Sequence, residues 1–272
     1  MFAYNIIVRA RKGAVSEVDI WESRVAAAGG TLGVNSLSIA SDLIDALVAE
    51  TYGEAVKYLL PLLGSNLAAA RVPLRDSLGV GIAGNSGFVD GDFTEATGLA
   101  NSTEAAKRLD TLINPSQLGA GNNGGIGFWE VNWGAGTGVE PMGMYTNLVT
   151  GNRAAIDMRT TQETFRWGAP ANYTGILTTA SNGHLYGQRS SATARKIYKD
   201  GTQSGSTNTT SDPGTDLQER TIYIMGVNHP SGTTYWKGRC AVAYMTDGTL
   251  SDSDASALHT LLGTYLITPT GR

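Results

Sequence analysis

The sequence predicts a mainly β protein, a jelly-roll sandwich with a small α-helical subdomain at the N-terminal end and a capping helix at the C-terminal end. Three observations predict it. Short apolar runs separated by Gly, Asn, Ser and Thr turns recur from residue 58 onward, about a dozen of them. Glycine is abundant, 35 of 272 residues, and charged residues make up only 16%, below the usual quarter. Helical periodicity is confined to the two ends.

Residues 2–10 read as an edge strand or arm. Ser16 is an N-cap with Asp19 three positions on, and Val18, Trp21, Val25 and Ala28 follow at helical spacing until Gly29-Gly30 stops the helix. A second helix spans 36–50, with Leu37, Ala40, Leu43, Ile44, Leu47 and Val48 on one face. Residues 58–63 are apolar throughout and read as a buried strand. The domain boundary is drawn there: 1–63 as arm and helical attachment subdomain, 64–272 as the sandwich. Two helices and an arm bury little on their own, so the subdomain must pack on something.

A short turn of helix and a strand follow, then a Gly/Asn/Thr-rich stretch, 78–103, anchored by Phe88 and Phe93. Strands are expected at 107–113, 125–133, 142–148, 154–159, 174–180, 184–189 and 195–199. Asp200-Gly201 is a hairpin turn, and 202–213 reads as a polar loop. Two more strands, 221–227 and 235–245, lead to a helix capped by Ser251 with Asp254 as its box partner. Its apolar face is Ala255, Leu258, Leu261, Leu262, Tyr265 and Leu266.

Composition removes several functions. The formal charge is −4 and there is no basic stripe, so nucleic acid is not an expected partner. No apolar run approaches ~20 residues, so no membrane insertion is expected, and the opening MFAYNIIVRARKG does not read as a secretory signal. The single cysteine, Cys240, excludes an internal disulfide and reads as a buried thiol.

The closing stretches KIYKDGTQSGS, TIYIMGVN and YWKGRCAVAYMTDGTLSDSDASALHTLL resemble the end of concanavalin A-like (laminin-G-like) jelly-roll domains. WESRVAAAGG, LAAARVPLRDSLG, NSGFVDGDFTEATGL and KRLDTLINPSQLG are similar to proteins of tailed bacteriophages. The resemblance implies a non-enzymatic virion structural protein of tail-fibre or decoration type. It would be present in many copies, made in a host cytoplasm and carried in the particle. Its implied partners are other virion proteins and/or a host-surface glycan. Tyr4, Ile6, Trp21 and Arg24 of the arm and first helix are the expected assembly contacts. Alternation buries only one of two adjacent strand residues, so Tyr235 and Trp236 cannot both be core. With Asn228 and the 228–236 loop they form the expected ligand surface. A capsid decoration protein without sugar binding and a glycan-degrading hydrolase on the same fold are the alternatives.

Catalytic signals are few. Glu17-Val18-Asp19-Ile20-Trp21-Glu22 matches the carboxylate strand of laminarinase-type glycosidases, but its flanks have helical period, which points Glu17 and Glu22 ~140° apart. It reads as a solvated helix face. A hydrolase would need two or three carboxylates from neighbouring strands; Glu130, Asp157 and Asp110 are the candidates, Glu130 first. His184, His229 and His259 have no metal-ligand spacing. No cofactor is expected: 211–216 offers oxygen ligands to calcium, but its spacing matches no calcium loop and turn chemistry explains it. The glycine runs at 84–87 and 119–125 lack the lysine and helix of a phosphate loop.

Overall fold

The computed structural model describes residues 15–102, 107–119, 123–133, 139–146, 153–159, 162–168, 173–176, 182–211, 220–230 and 234–272. Two sheets, antiparallel except for one parallel pair in the second, face one another, and helices cover the outer side of the first. The strands in chain order begin β1 (Val56–Leu60), β2 (Arg75–Asp76), β3 (Gly84–Ser86), β4 (Phe93–Thr94), β5 (Gly98–Asn101) and β6 (Arg108–Asp110). Then come β7 (Gly124–Trp133), β8 (Val139–Tyr145), β9 (Arg153–Arg159), β10 (Gln162–Gly168), β11 (Tyr173–Ile176) and β12 (Gly183–Ser191). The last are β13 (Ala194–Lys199), β14 (Thr202–Asn208), β15 (Tyr223–Ile224), β16 (Gly226–Asn228), β17 (Thr234–Tyr235) and β18 (Gly238–Asp247). Sheet one runs β14-β13-β12-β7-β18-β1-β2, with β5 on β18 and β4 on β5. Sheet two runs β11-β10-β9-β8-β15-β6-β3, with β16 on β8 and β17 on β16.

Alternation builds the interior. Ile126 and Phe128 of β7, Leu185 of β12 and Ile197 of β13 meet Met142 and Met144 of β8, Ile156 of β9 and Phe165 and Trp167 of β10. The opposite side chains of sheet one, among them Tyr186, Tyr198, Val242 and Tyr244, form a second core with the helices. Helix α1 (Glu17–Ala27) has the expected capping box between Ser16 and Asp19. Helix α2 (Ser36–Ala49) buries Ile39, Leu43 and Leu47. A short helix, α3 (Leu67–Ala70), precedes β2. Helix α4 (Asp252–Leu262) has the Ser251–Asp254 box and buries Leu258, Leu261 and Leu262.

The helical part is fused to the sandwich. The boundary after Leu63 follows β1, which pairs along β18 within sheet one. Trp21 and Arg24, expected to reach an assembly partner, are used inside the chain. Trp21 is fully buried and its indole donates to the Val72 carbonyl, while Arg24 pairs with Asp76 at 3.1 Å. Glu17 is on a helix, as its flanks predict, and pairs with Arg75 at 2.7 Å. Tyr4 and Ile6 lie outside the described residues.

Asp200-Gly201 makes its hairpin with both residues at positive φ. The second arm of that hairpin is the polar run expected to be loop: Thr202–Asn208 pairs with β13 as an edge strand. Residues 221–227 are not one strand. Met225 has φ 66°, which ends β15 and starts β16 in a new direction, parallel to β8. The longer strand expected at 235–245 is interrupted at Trp236-Lys237 and resumes at Gly238.

Between sheet one and α4, Trp129 stacks on His259 at 5.0 Å and on His184 at 5.2 Å. His184 Nε2 shares a 2.7 Å bond with the Tyr244 hydroxyl. Tyr244 lies against Gly127, where a Cβ would meet the ring at 2.0 Å. Burial lowers the pKa of both histidines, and their mutual proximity lowers that of His184 further. An imidazole whose folded pKa is depressed supports stability above its unfolded pKa, about 6.5, and loses that support as pH falls below it. Acid is therefore expected to loosen α4 first. Amide exchange at pH 5 should rise in residues 252–262 before it rises in β7, and His259→Phe should reduce the effect.

Candidate functional site

The site with the chemistry to bind a ligand lies on the outer face of sheet two. On β8, Met142 and Met144 point inward, so Gly143 and Tyr145 point outward. The antiparallel register places Arg153 of β9 opposite Tyr145. Its guanidinium stands 4.3 Å above the tyrosine ring, a cation–π contact, with Nη1 3.4 Å from the hydroxyl. The Tyr145 hydroxyl donates to Glu140. His229, just after β16, meets the ring edge-on at 5.1 Å. Val227 packs with Tyr145 and Ala155 as the apolar floor.

Asn228 extends the cluster. Its Oδ1 accepts from Arg220 Nη1 at 3.2 Å, and its Nδ2 donates to the Thr221 carbonyl at 3.1 Å. The pKa of His229 is lowered, by partial burial first and then by the positive charges of Arg153 and Arg220. Both guanidiniums therefore act on one imidazole, which is neutral at pH 7. Glu140, Arg153, Arg220, Asn228 and His229 are all partly exposed. A second stack, Arg108 at 5.1 Å over the Tyr223 ring, is on the same sheet, and Tyr223 pairs with Gly143.

Of the expected ligand residues, Asn228 is part of this cluster. Tyr235 is half-buried and pairs with Gly226 beside it. Trp236 is not: it is fully buried, edge-to-face with Phe128 at 5.0 Å, because the chain leaves the regular strand there. Of the pair only Trp236 is core, and it lies just outside the strand. The sequence does not single out Arg153, Arg220 or Glu140, offers Tyr145 only as one of the sandwich aromatics, and gives His229 no metal-ligand spacing. They are brought together by register between strands, for which no local motif exists.

The carboxylates sought for hydrolysis are elsewhere. Glu130 lies inside the sandwich, 1% exposed, with neither oxygen hydrogen-bonded. Glu163 of β10, fully buried, pairs with Lys199 of β13 at 3.1 Å. Burial pushes the Glu130 carboxyl up to about 8, Lys199 pulling it down and Glu163 adding to the rise. Glu130 is thus a neutral acid at pH 7, closed off from substrate by both sheets. Asp110 is partly exposed on β6 and accepts from the Leu112 amide. The side chain of Asp157 and residues 212–219, which hold most of the calcium run, lie outside the described residues. Among the described residues no group of His, Cys, Asp or Glu could hold a metal ion. No helix among them is long and apolar enough to cross a membrane. Cys240 is buried and burial raises its thiol pKa.

No protein-family model matches the chain, and no curated protein matches it. Solved structures share its fold. A Trypanosoma rangeli sialidase mutant displaying trans-sialidase activity is 14% identical with a TM-score of 0.54, over 78% of this chain and 33% of that one. The T. rangeli sialidase in complex with a difluorinated deoxynononic acid is 11% identical, TM-score 0.54, over 85% and 39%. The same enzyme in complex with sialic acid is 12% identical, TM-score 0.52, over 85% and 38%. The chain spans about a third to two fifths of the length of these enzymes, and the likeness is one of fold. It agrees with the mainly β sandwich. The expectation of a bacteriophage virion component is overturned here: the structures that share the fold are glycan-handling sialidases, and no finding points to a phage particle.

Proposed function

We propose that this chain is a carbohydrate-recognition sandwich that binds acidic glycans on the outer face of its second sheet. The observation that carries the reading is the convergence of Arg153 and Arg220 on His229, beside Tyr145 and Asn228. A guanidinium matches the two oxygens of a sugar carboxylate with paired hydrogen bonds. The Asn228 amide, bonded to Arg220 and Thr221, holds the Arg220 guanidinium in place beside it. The sialic acid bound to a sialidase of this fold is one such acidic sugar.

Calorimetric titration with sialyllactose and with lactose tests the reading. The acidic glycan is expected to bind and lactose to bind at least ~10-fold more weakly, a difference of about 1.4 kcal/mol. Arg153→Ala should abolish the preference. Equal affinity for the two sugars, or no binding of either, would count against the reading.

A second reading, hydrolysis, is favoured by the Tyr145–Glu140 hydrogen bond. A glycosidase that uses a tyrosine nucleophile needs a carboxylate to take its proton, and sialidases are of that kind. Release of the fluorophore from a fluorogenic sialoside, lost in Tyr145→Phe, would establish it. Binding without release leaves recognition as the function.

A further inference from the structure

The helical layer carries a groove that the glycan reading does not use. It lies between α2 and α4, with a volume of about 680 Å³. Ala46 and Ala49 form one wall, Ser256, Ala257 and Thr260 the other, and Tyr265 stands beside Thr264 along it. Small side chains leave it shallow enough for a backbone to approach. From Ser253 to Tyr265 the helical path rises ~18 Å at ~1.5 Å per residue. Five or six extended residues at ~3.3 Å each cover that length.

The groove is bordered by one sign of charge. Between Ser36 and Tyr52 there are three acids, Asp42, Asp45 and Glu50, and no Lys or Arg. All three are exposed, and Glu50 lines the groove. Asp42 and Asp45 are one helical turn before Ala46 and Ala49, so they flank the same wall. Across from them α4 adds Asp252 and Asp254, again without Lys or Arg. Asp252 is held by Lys196 and the Asp254 carboxylate accepts from Ser251 in its own cap, while the acids of the α2 side have no such partner among the described residues.

The segment before α1 has the complementary chemistry. Residues 1–14, outside the described residues, read MFAYNIIVRARKGA: Arg9, Arg11 and Lys12, no acid, and an apolar run from Ile6 to Val8. Its point of entry is fixed by Arg75, which bonds Glu17 at 2.7 Å and also the Gly53 carbonyl, with Glu54 at 3.9 Å. Gly53 is three residues after Glu50. Glu17, near the start of the described chain, therefore lies on the Glu50 side of the groove. Fourteen residues reach up to ~46 Å, more than twice the groove's length.

We propose that the groove between α2 and α4 is the docking site of the chain's own N-terminal segment. Lys12, Arg11 and Arg9 lie against the acids of α2 near the entrance. The Ile6–Val8 run continues along the small-residue floor toward Tyr265. The contacts expected of Tyr4 and Ile6 then turn onto the chain itself.

Paired cysteines test this in the full chain, where the native Cys240 is buried and silent. Ile6→Cys combined with Ala257→Cys or with Thr260→Cys should form an intramolecular disulfide under mild oxidation. Disulfide-linked dimers alone would put a second copy in the groove and overturn the proposal. Absence of any link would overturn it as well. Deletion of residues 1–14 is a second measurement. Amides of residues 256–265 should exchange at least ~5-fold faster while β7 and β18 keep their protection. Unchanged exchange overturns the proposal. If the deletion also exposes β7, the cysteine result decides.

Discussion

Replacing Glu130 by Gln is expected to stabilise the protein at pH 9 by roughly 3–5 kcal/mol while leaving it nearly unchanged at pH 4. Glu130 sits between the sheets, 1% exposed, and its carboxyl is raised to about 8 by burial. The unfolded chain releases this proton near the ordinary carboxylate pKa; the folded chain holds it until about 8. The sign follows. Below pH ~4.5 both states are protonated and the group costs nothing extra. As pH rises toward and through 8, the unfolded state gains by ionising and stability is lost. Gln cannot ionise, and its amide occupies the same unbonded position as the neutral acid. Urea unfolding at pH 4, 7 and 9 should show the wild type and variant diverging as pH rises. Parallel profiles would mean that Glu130 has a partner or a path to water. The His184–His259 stack contributes in the opposite direction below pH ~6.5, so the wild type should be most stable at mildly acid pH.

The second large effect is expected at Arg272. Its guanidinium donates to four backbone carbonyls: Leu62 at 2.6 Å, Glu95 at 2.6 Å, Ala241 at 2.7 Å and Pro61 at 3.0 Å. Burial lowers its pKa to about 10. These bonds join β18 to the loop after β1, where Leu62 is fully buried in the left-handed region, φ 51°, a strained conformation for a branched side chain. Arg272→Met keeps the apolar stem and removes the donors. It should cost roughly 3–5 kcal/mol, the range for stripping a partner from buried polar groups. Arg272→Lys should recover only part, because one ammonium cannot serve four carbonyls in fork geometry. Equilibrium unfolding of the two variants against wild type checks both statements.

Local chemistry made the ends of the chain legible. Ser16 with Asp19 and Ser251 with Asp254 announce their helices, and Asp200-Gly201 announces its hairpin, because each motif satisfies its backbone within four residues. Strands whose identity depends on a neighbour were harder. Thr202–Asn208 carries no alternation and is a strand only because β13 pairs with it. Gln162–Gly168 was not expected as a strand at all; Phe165 and Trp167 alternate inward, but Glu163 interrupts the pattern because it is paired with Lys199 inside the sandwich.

The cluster on sheet two was the least legible part. Asn228 was identified from its loop, but Arg153 meets Tyr145 through the β8–β9 register, and Arg220 and His229 reach them through the turn at Met225. Trp236 shows the converse: a residue chosen as exposed is the interior anchor, because the strand is interrupted at that point.

The most direct measurement uses the three histidines. His184 and His259 are stacked on Trp129 under α4, and His229 alone stands in the cluster on sheet two. In a proton NMR titration with sialyllactose, the His229 ring resonances should move and its pKa should rise, because a bound carboxylate offsets Arg153 and Arg220. His184 and His259 should stay still. Binding that leaves His229 unmoved, or no binding at all, would contradict recognition of acidic glycans at this face.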